Sequence, residues 1–251
     1  MSKREESEMA SDVEGRAIAY ELEGATRWYG DGAARVAALD SLSLTIASGE
    51  FVAVLGPSGS GKSTLLQLMG ALDDPSSGTV RFEQRLLGGL SEPELAALRL
   101  SAIGFVFQQF NLIPTLTAAE NVEVALAPLR TDRGQRRKLA LGQLDAVGLA
   151  SRAEHLPGQL SGGEQQRAGI ARALARAPRV ILGDEPTGNL DARNGEMVID
   201  LLEALHRELG ITLVLVTHDH AVAERADRVL GLEDGRLVSD SGLGDRLEVR
   251  G

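Results

Sequence analysis

The chain predicts an α/β fold with a mostly parallel sheet at its core, and three observations carry that expectation. The runs Phe51–Leu55, Val180–Leu182 and Leu213–Val216 are continuously apolar and bounded by turn residues, the pattern of strands buried on both faces of a parallel sheet. Helical patterns follow them at Lys62–Ala71, Gly195–Leu209 and His220–Ala226, the strand-then-helix order of α/β architectures. Between Ser91 and Gly158 the pattern turns helical, which predicts a lobe inserted into that core.

The remaining elements follow in chain order. Ala17–Leu22, Leu42–Ile46 and Thr79–Phe82 read as further strands. Arg228–Leu232 and Arg236–Ser239 flank Asp234-Gly235, a hairpin signal because both turn positions suit residues that tolerate positive φ. These strands predict an antiparallel β edge region. The lobe, over 91–158, contains helices at Glu92–Leu100, Ala118–Leu126 and Gln135–Val147, with turns at Pro114, Pro128 and Gly148. The core is expected over 17–90 and 159–243. Residues 1–16 are charged and lack the apolar segment of a secretory signal, so they are expected to form a disordered leader, and 244–251 a tail.

Composition narrows the function. With 251 residues, 43% of them hydrophobic, one domain can bury a sizeable core. The 36 acidic residues outnumber 26 basic ones, which argues against nucleic-acid partners because these need a concentrated basic face. The basic run Arg133–Lys138 reads as a solvated helix face. The lack of cysteine excludes disulfides and zinc–thiolate sites and suits a reducing compartment. No apolar run nears the roughly 20 residues that cross a bilayer, so a membrane role calls for a partner.

Three strings carry the chemistry. Gly56-Pro57-Ser58-Gly59-Ser60-Gly61-Lys62-Ser63-Thr64 fits G-x-x-x-x-G-K-[ST] and lies between a predicted strand and helix. Its glycines let backbone N–H groups turn around phosphates at a helix N-terminus. Lys62 is then placed on the β/γ oxygens and the Ser63 hydroxyl on magnesium. A helix-capping turn would account for the glycines but not for this lysine, one of three in the chain (Lys3, Lys62, Lys138). Asp184 and Glu185 end the second string, Val180–Pro186. Asp184, at the carboxyl end of a buried strand, is a magnesium ligand, and Glu185 can orient or polarise an attacking water.

The third string is Leu160–Arg167. Ser161 and Glu164 form a capping box for the helix that follows. That reading leaves Gly162 and Gly163 unexplained, since glycine costs about 1 kcal/mol in a helix interior. Bare N–H groups at a helix start can approach an anion closely. The phosphate loop already supplies one such cradle, so a second suggests contact with the same nucleotide from the opposite side.

Leu160–Gln165 resembles the signature motif of ATP-binding cassette (ABC) ATPases, and the likeness runs over Ala17–Ser239. It implies the ABC version of the P-loop NTPase fold, ATP and Mg2+ as cofactors, and hydrolysis in a head-to-tail homodimer. Ser161, Gly162, Gly163 and Gln165 would reach the nucleotide of the other copy. Further positions take roles from the resemblance: Gln108 touching magnesium and sensing the transport partner, Asp191 crossing the dimer interface, and His218 as a switch at the γ-phosphate. Tyr29 would stack on adenine, with Trp28 as its rival; Gln109 is likewise a rival to Gln108, and His220 takes no role. Gly104–Gln108, Asn111–Thr117 and Glu185–Asp191 look most like the MacB/LolD group, which drives lipoprotein release and peptide or macrolide efflux. Gly183 stands where that group usually has alanine, and Ala168-Gly169 replaces a more β-branched pair.

The resemblance implies a separate integral-membrane permease of MacB/LolC type as partner, no nucleic acid, and a location on the cytoplasmic face of the inner or plasma membrane. The same chemistry would serve an ATP-gated mechanical or regulatory module that moves no substrate. More distant readings lack their own marks: the long coiled-coil insertion of DNA-repair ABC ATPases, the paired cassettes usual in translation members, and the N-K-x-D motif of GTPases.

Overall fold

Two sheets organise the chain in the computed structural model, which describes residues 17–30, 35–129 and 131–243. The expected leader and tail lie outside the described residues. The larger sheet has the order β10-β9-β3-β8-β7-β6, from β3 (Phe51–Leu55), β6 (Ile103–Phe107), β7 (Val180–Asp184), β8 (Thr212–Thr217), β9 (Arg228–Glu233) and β10 (Arg236–Asp240). All its pairings are parallel except the β9–β10 hairpin. The smaller, wholly antiparallel sheet has the order β2-β1-β4-β5, from β1 (Ile18–Tyr29), β2 (Val36–Ala47), β4 (Ser77–Phe82) and β5 (Arg85–Leu86). The antiparallel region is therefore mostly a sheet of its own, and only β10 edges the parallel one.

The alternation of side chains along a strand divides the core into two layers. Val52, Val54, Leu182, Val214 and Val216 face the antiparallel sheet together with Leu65 and Met69 of helix α1 (Lys62–Met69). Phe51, Ile181, Leu213 and Leu215 face the other way, against Val198, Ile199 and Leu202 of α6 (Ala192–Leu209) and Ile170 and Leu174 of α5 (Gly162–Leu174). Burial of this kind contributes about 1.5–3 kcal/mol for each large aliphatic side chain. It fixes the carboxyl ends of β3, β7 and β8 side by side, and the loops that leave them carry the chemistry.

The lobe boundary needs correction. Helix α2 (Glu92–Ala102) buries Leu95, Leu98 and Ala102 in the first core layer, and β6 pairs with β7 from Ile103↔Val180 to Phe107↔Asp184. Residues 91–107 therefore belong to the core. The helical lobe is built by α3 (Ala118–Leu126), α4 (Arg133–Ala146) and the start of α5, which share the second layer. Ile103–Phe107 is short, follows a helix without a turn and stands amid helical segments, so the expectation set it inside the lobe.

β1 and β2 also run further than the alternation suggests. Gly24 (φ 57°) and Ser41 (φ 53°) interrupt them, and the β1–β2 register shifts between Leu22 and Ala25. Such bulges break the period-2 pattern without ending the strand. Gly183 has a packing reason: a Cβ there would come within 2.4 Å of Leu215 Cδ2. The leucine end occupies the space a methyl would take.

Candidate functional site

The loops after β3, β6, β7 and β8 enclose a cavity of about 680 Å3 lined by Ser58, Gly59, Gly61, Lys62, Ser63, Thr64, Gln108, Asp184, Glu185 and His218, with Ala38 of β2 as a wall. A cavity of about 700 Å3 elsewhere, walled largely by aliphatic groups around Leu174, Leu205 and Leu209, gathers no comparable set of reactive groups.

The phosphate loop connects β3 to α1. Gly61 holds φ 102° as the residue before the helix, and a Cβ there would lie 2.2 Å from the Ala38 carbonyl oxygen, so only glycine fits. Lys62 is buried, and its ammonium donates to the carbonyls of Gly56 (2.7 Å) and Pro57 (2.8 Å). The loop thus arches over the lysine and fixes its charge at the helix N-terminus, where N–H groups and the helix dipole both favour an anion. Gly56 and Pro57 line the adjoining cavity behind the loop, and the Ser60 side chain is buried inside it. These three shape the loop rather than face the cavity. Lys62→Ala is expected to weaken ATP binding about 10- to 100-fold, the scale of a charge-assisted hydrogen bond. Fluorescent-nucleotide titration of the folded variant measures it.

Opposite the loop, Ser63 Oγ donates to Asp184 Oδ1 at 3.4 Å. Burial holds the Asp184 carboxyl above the usual range, the neighbouring Glu185 charge adds to this, and Ser63 and Lys62 pull it back. One carboxylate and one hydroxyl, both hard oxygen donors, fit Mg2+ held mainly by substrate phosphates and water. Gln108 stands at the same cavity, one residue beyond β6, whereas Gln109 is exposed outside it. The Gln108 amide donates to Asn189 Oδ1 (3.3 Å), and Asn189 donates back to the Gln108 carbonyl (3.0 Å). The entry to the helical lobe is thereby tied to the loop after Glu185.

Glu185 sits at φ 47°, a left-handed conformation that costs a residue with a side chain about 1–3 kcal/mol. Its N–H is anchored on the Val216 carbonyl at 3.0 Å. That twist turns the carboxylate into the cavity, where Oε1 lies 2.9 Å from His218 Nδ1. A carboxylate held this way, with a histidine on it and a phosphate cradle opposite, can accept a proton from a water attacking phosphorus.

Several expected residues lie elsewhere. Ser161–Gly163, Gln165 and Asp191 do not line this cavity. The capping box forms, with Ser161 N–H on Glu164 Oε2 (2.8 Å) and Glu164 N–H on Ser161 Oγ (3.3 Å). Glu164 is held below the usual carboxylate range chiefly by the Ser161 N–H. Asp191 caps α6 by accepting from the N–H (2.9 Å) and the amide (2.7 Å) of Asn194. A Cβ at Gly163 would come within 2.5 Å of Asn194 Oδ1, so the two helix starts pack together. Tyr29 is 41% exposed at the end of β1, its hydroxyl bonded to Asp73 (3.0 Å) and Gln67 (3.3 Å). Trp28 lies under the Arg35 guanidinium at 3.7 Å. Sequence reasoning missed Ala38, Asn189 and the buried Gln166, whose amide reaches the Pro186 carbonyl. Ala38 lies outside every motif, whereas Asn189 stands inside Glu185–Asp191 and Gln166 inside Leu160–Arg167, strings in which neither residue carries a role by type alone.

Comparison with known proteins agrees with this geometry. A family model described as ABC transporter matches residues 39–188. The macrolide export ATP-binding/permease protein MacB of Hyphomonas neptunium is 49% identical over 222 residues, 88% of this chain and 34% of its own length. The lipoprotein-releasing system ATP-binding protein LolD of Bordetella pertussis is 50% identical over 212 residues, 84% of this chain and 92% of its own. The chain spans about a third of the MacB proteins it matches. Among solved structures, the ATP-binding cassette MJ0796, a dimer in a post-hydrolysis state with ADP and Pi, has a TM-score of 0.82 at 46% identity and covers 88% of this chain and 97% of that one. CbiO1 from Clostridium perfringens, part of an ABC transporter complex, has a TM-score of 0.80 at 30% identity, covering 89% of this chain and 88% of that one. With its phosphate loop, acidic strand end and signature helix in one fold, the chain belongs to the ABC transporter ATP-binding family.

Proposed function

We propose that this chain is the ATP-hydrolysing subunit of an ABC transporter, that two copies pair head to tail, and that the pair drives a separate integral-membrane permease from its cytoplasmic face. The observation that carries the proposal is a site divided within one chain. Lys62, Asp184, Glu185 and His218 meet around one open cavity, while the glycine-rich helix start at Ser161–Gly163 lies outside it. A two-fold pair closes both gaps at once, because each copy offers the same two patches.

In this reading the phosphate loop and Lys62 hold the ATP phosphates, Tyr29 covers the adenine, and Ser161–Gly163 and Gln165 of the second copy cap the γ-phosphate. Asp191 of each copy meets the other at the interface. Ser63, Asp184 and Gln108 would hold Mg2+, which when bound neutralises charge on the β- and γ-phosphate oxygens. Glu185 takes the proton of the attacking water and His218 holds its carboxylate in place. ATP favours the closed pair because its terminal phosphate bridges both halves, and hydrolysis removes that bridge. The Gln108–Asn189 clamp passes the change to the helical lobe and so to the permease. Likeness to MacB and LolD supports cargo of the exported or extracted lipoprotein, peptide or macrolide kind. No described helix is long and apolar enough to cross a membrane.

Dilution tests the shared site. ATPase activity per subunit is expected to fall as the concentration drops below that of self-association, and to recover with added permease. Constant activity per subunit across that range overturns the pair.

A further inference from the structure

The β9–β10 hairpin grips the phosphate loop from behind. β9 runs parallel to β3, and beyond the Leu55↔Gly231 pairing the Leu232 carbonyl closes on the loop's first residue. A Cβ on Gly56 would lie 2.2 Å from that oxygen. At the hairpin tip, Asp234 (φ 47°) and Gly235 (φ 77°) form the tight turn. The Gly235 N–H donates to the Ser60 carbonyl at 3.0 Å, and the Gly235 carbonyl accepts from Asp40 N–H at 2.9 Å. A Cβ at Gly235 would meet Ala38 O and Leu39 Cα, both at 2.9 Å. Ala38 O is the atom that also excludes a side chain from Gly61. Arg236 ties the tip to β2 by donating to Asp40 Oδ2 at 2.9 Å. One hairpin therefore abuts the loop near both ends, through Leu232 of β9 and Gly235 of the turn, and rests on the backbone that fixes the loop's last glycine.

We propose that this turn sets the shape of the phosphate loop and that Gly235 is a positioning residue for nucleotide phosphates. The inference rests on the reading that the loop holds ATP. A phosphate cradle works through several N–H groups aimed at one point, so displacing Ser60 or Gly61 misaims them together. Gly235→Asn separates this role from the turn itself. Asparagine accepts positive φ, so the hairpin keeps its turn, yet its Cβ meets the Ala38–Leu39 backbone, which cannot yield as a side-chain tip can.

Steady-state ATPase kinetics and fluorescent-ATP titration test the proposal. Gly235→Asn is expected to raise KM and Kd for ATP about tenfold, the scale of one lost hydrogen bond, with kcat at saturation within about twofold. Asp234→Asn, which keeps the turn and touches no loop atom, is expected to match the parent. A turn that merely supports the fold would lower kcat, through a smaller active fraction, at parental KM; that result, or a parental KM with parental kcat, overturns the proposal. If Gly235→Asn does not fold, Arg236→Asp is expected to raise KM and the exchanged pair Asp40→Arg with Arg236→Asp to restore it, and a parental KM in Arg236→Asp overturns it. A parent that binds no ATP would instead overturn the reading of the loop.

Discussion

Glu185→Gln is expected to lower ATP turnover about 100-fold or more, the range for removing a positioned base, while ATP binding survives and an ATP-dependent dimer accumulates. The amide keeps an oxygen for His218 Nδ1, and the strained φ of 47° belongs to the backbone, so the geometry persists. What is lost is a group that can take a proton. The Glu185 charge is also one cause, after burial, of the raised Asp184 carboxyl, so its removal relieves part of that shift. Bound ATP then goes unhydrolysed and the closed pair persists. Single-turnover hydrolysis and size-exclusion chromatography with and without ATP measure the two effects. Hydrolysis at the parental rate removes Glu185 from the proton-accepting role.

Much of this site is written as local strings because its parts are backbone conformations as much as side chains. A loop on which a Cβ at Gly61 would lie 2.2 Å from the Ala38 carbonyl oxygen has to spell glycine there. A buried parallel strand that ends in a carboxylate spells apolar residues and then Asp184. The strings do not record what stands behind the loop. Ala38 matters through its carbonyl oxygen, which any residue would supply. The Gln108–Asn189 clamp joins positions 81 residues apart that only β6–β7 pairing brings together. The same pairing makes 91–107 part of the core, which helical periodicity around it conceals. Tyr29 is the opposite case: sequence proposes a partner for its ring, while the structure shows its hydroxyl engaged by Asp73 and Gln67.

Ser161→Arg is expected to abolish steady-state hydrolysis, by about 100-fold on the scale of losing an anion-binding donor set, without weakening ATP binding to a single subunit. Ser161 lines no part of the cavity that holds Lys62, so a lone subunit has no reason to notice the change. The substitution also removes the N-cap, a loss of about 1 kcal/mol that lowers the melting temperature by about 2–4 °C. Ser161→Asn controls for this by keeping a capping side chain without the bulk. Mixing gives the decisive result. When Ser161→Arg subunits are combined with Lys62→Ala subunits, each mixed pair contains one composite site with both faults and one with none. With random pairing, half of the dimers are mixed and one of their two sites is intact, so activity should return to about a quarter of the parental level. Neither variant alone can show it when ATP is held at a level that fills the parental site but not the weakened Lys62→Ala one. A Ser161→Arg protein that hydrolyses ATP normally, or a mixture no more active than its parts, would mean that each chain completes its own site, and the glycines at 162 and 163 would need another explanation.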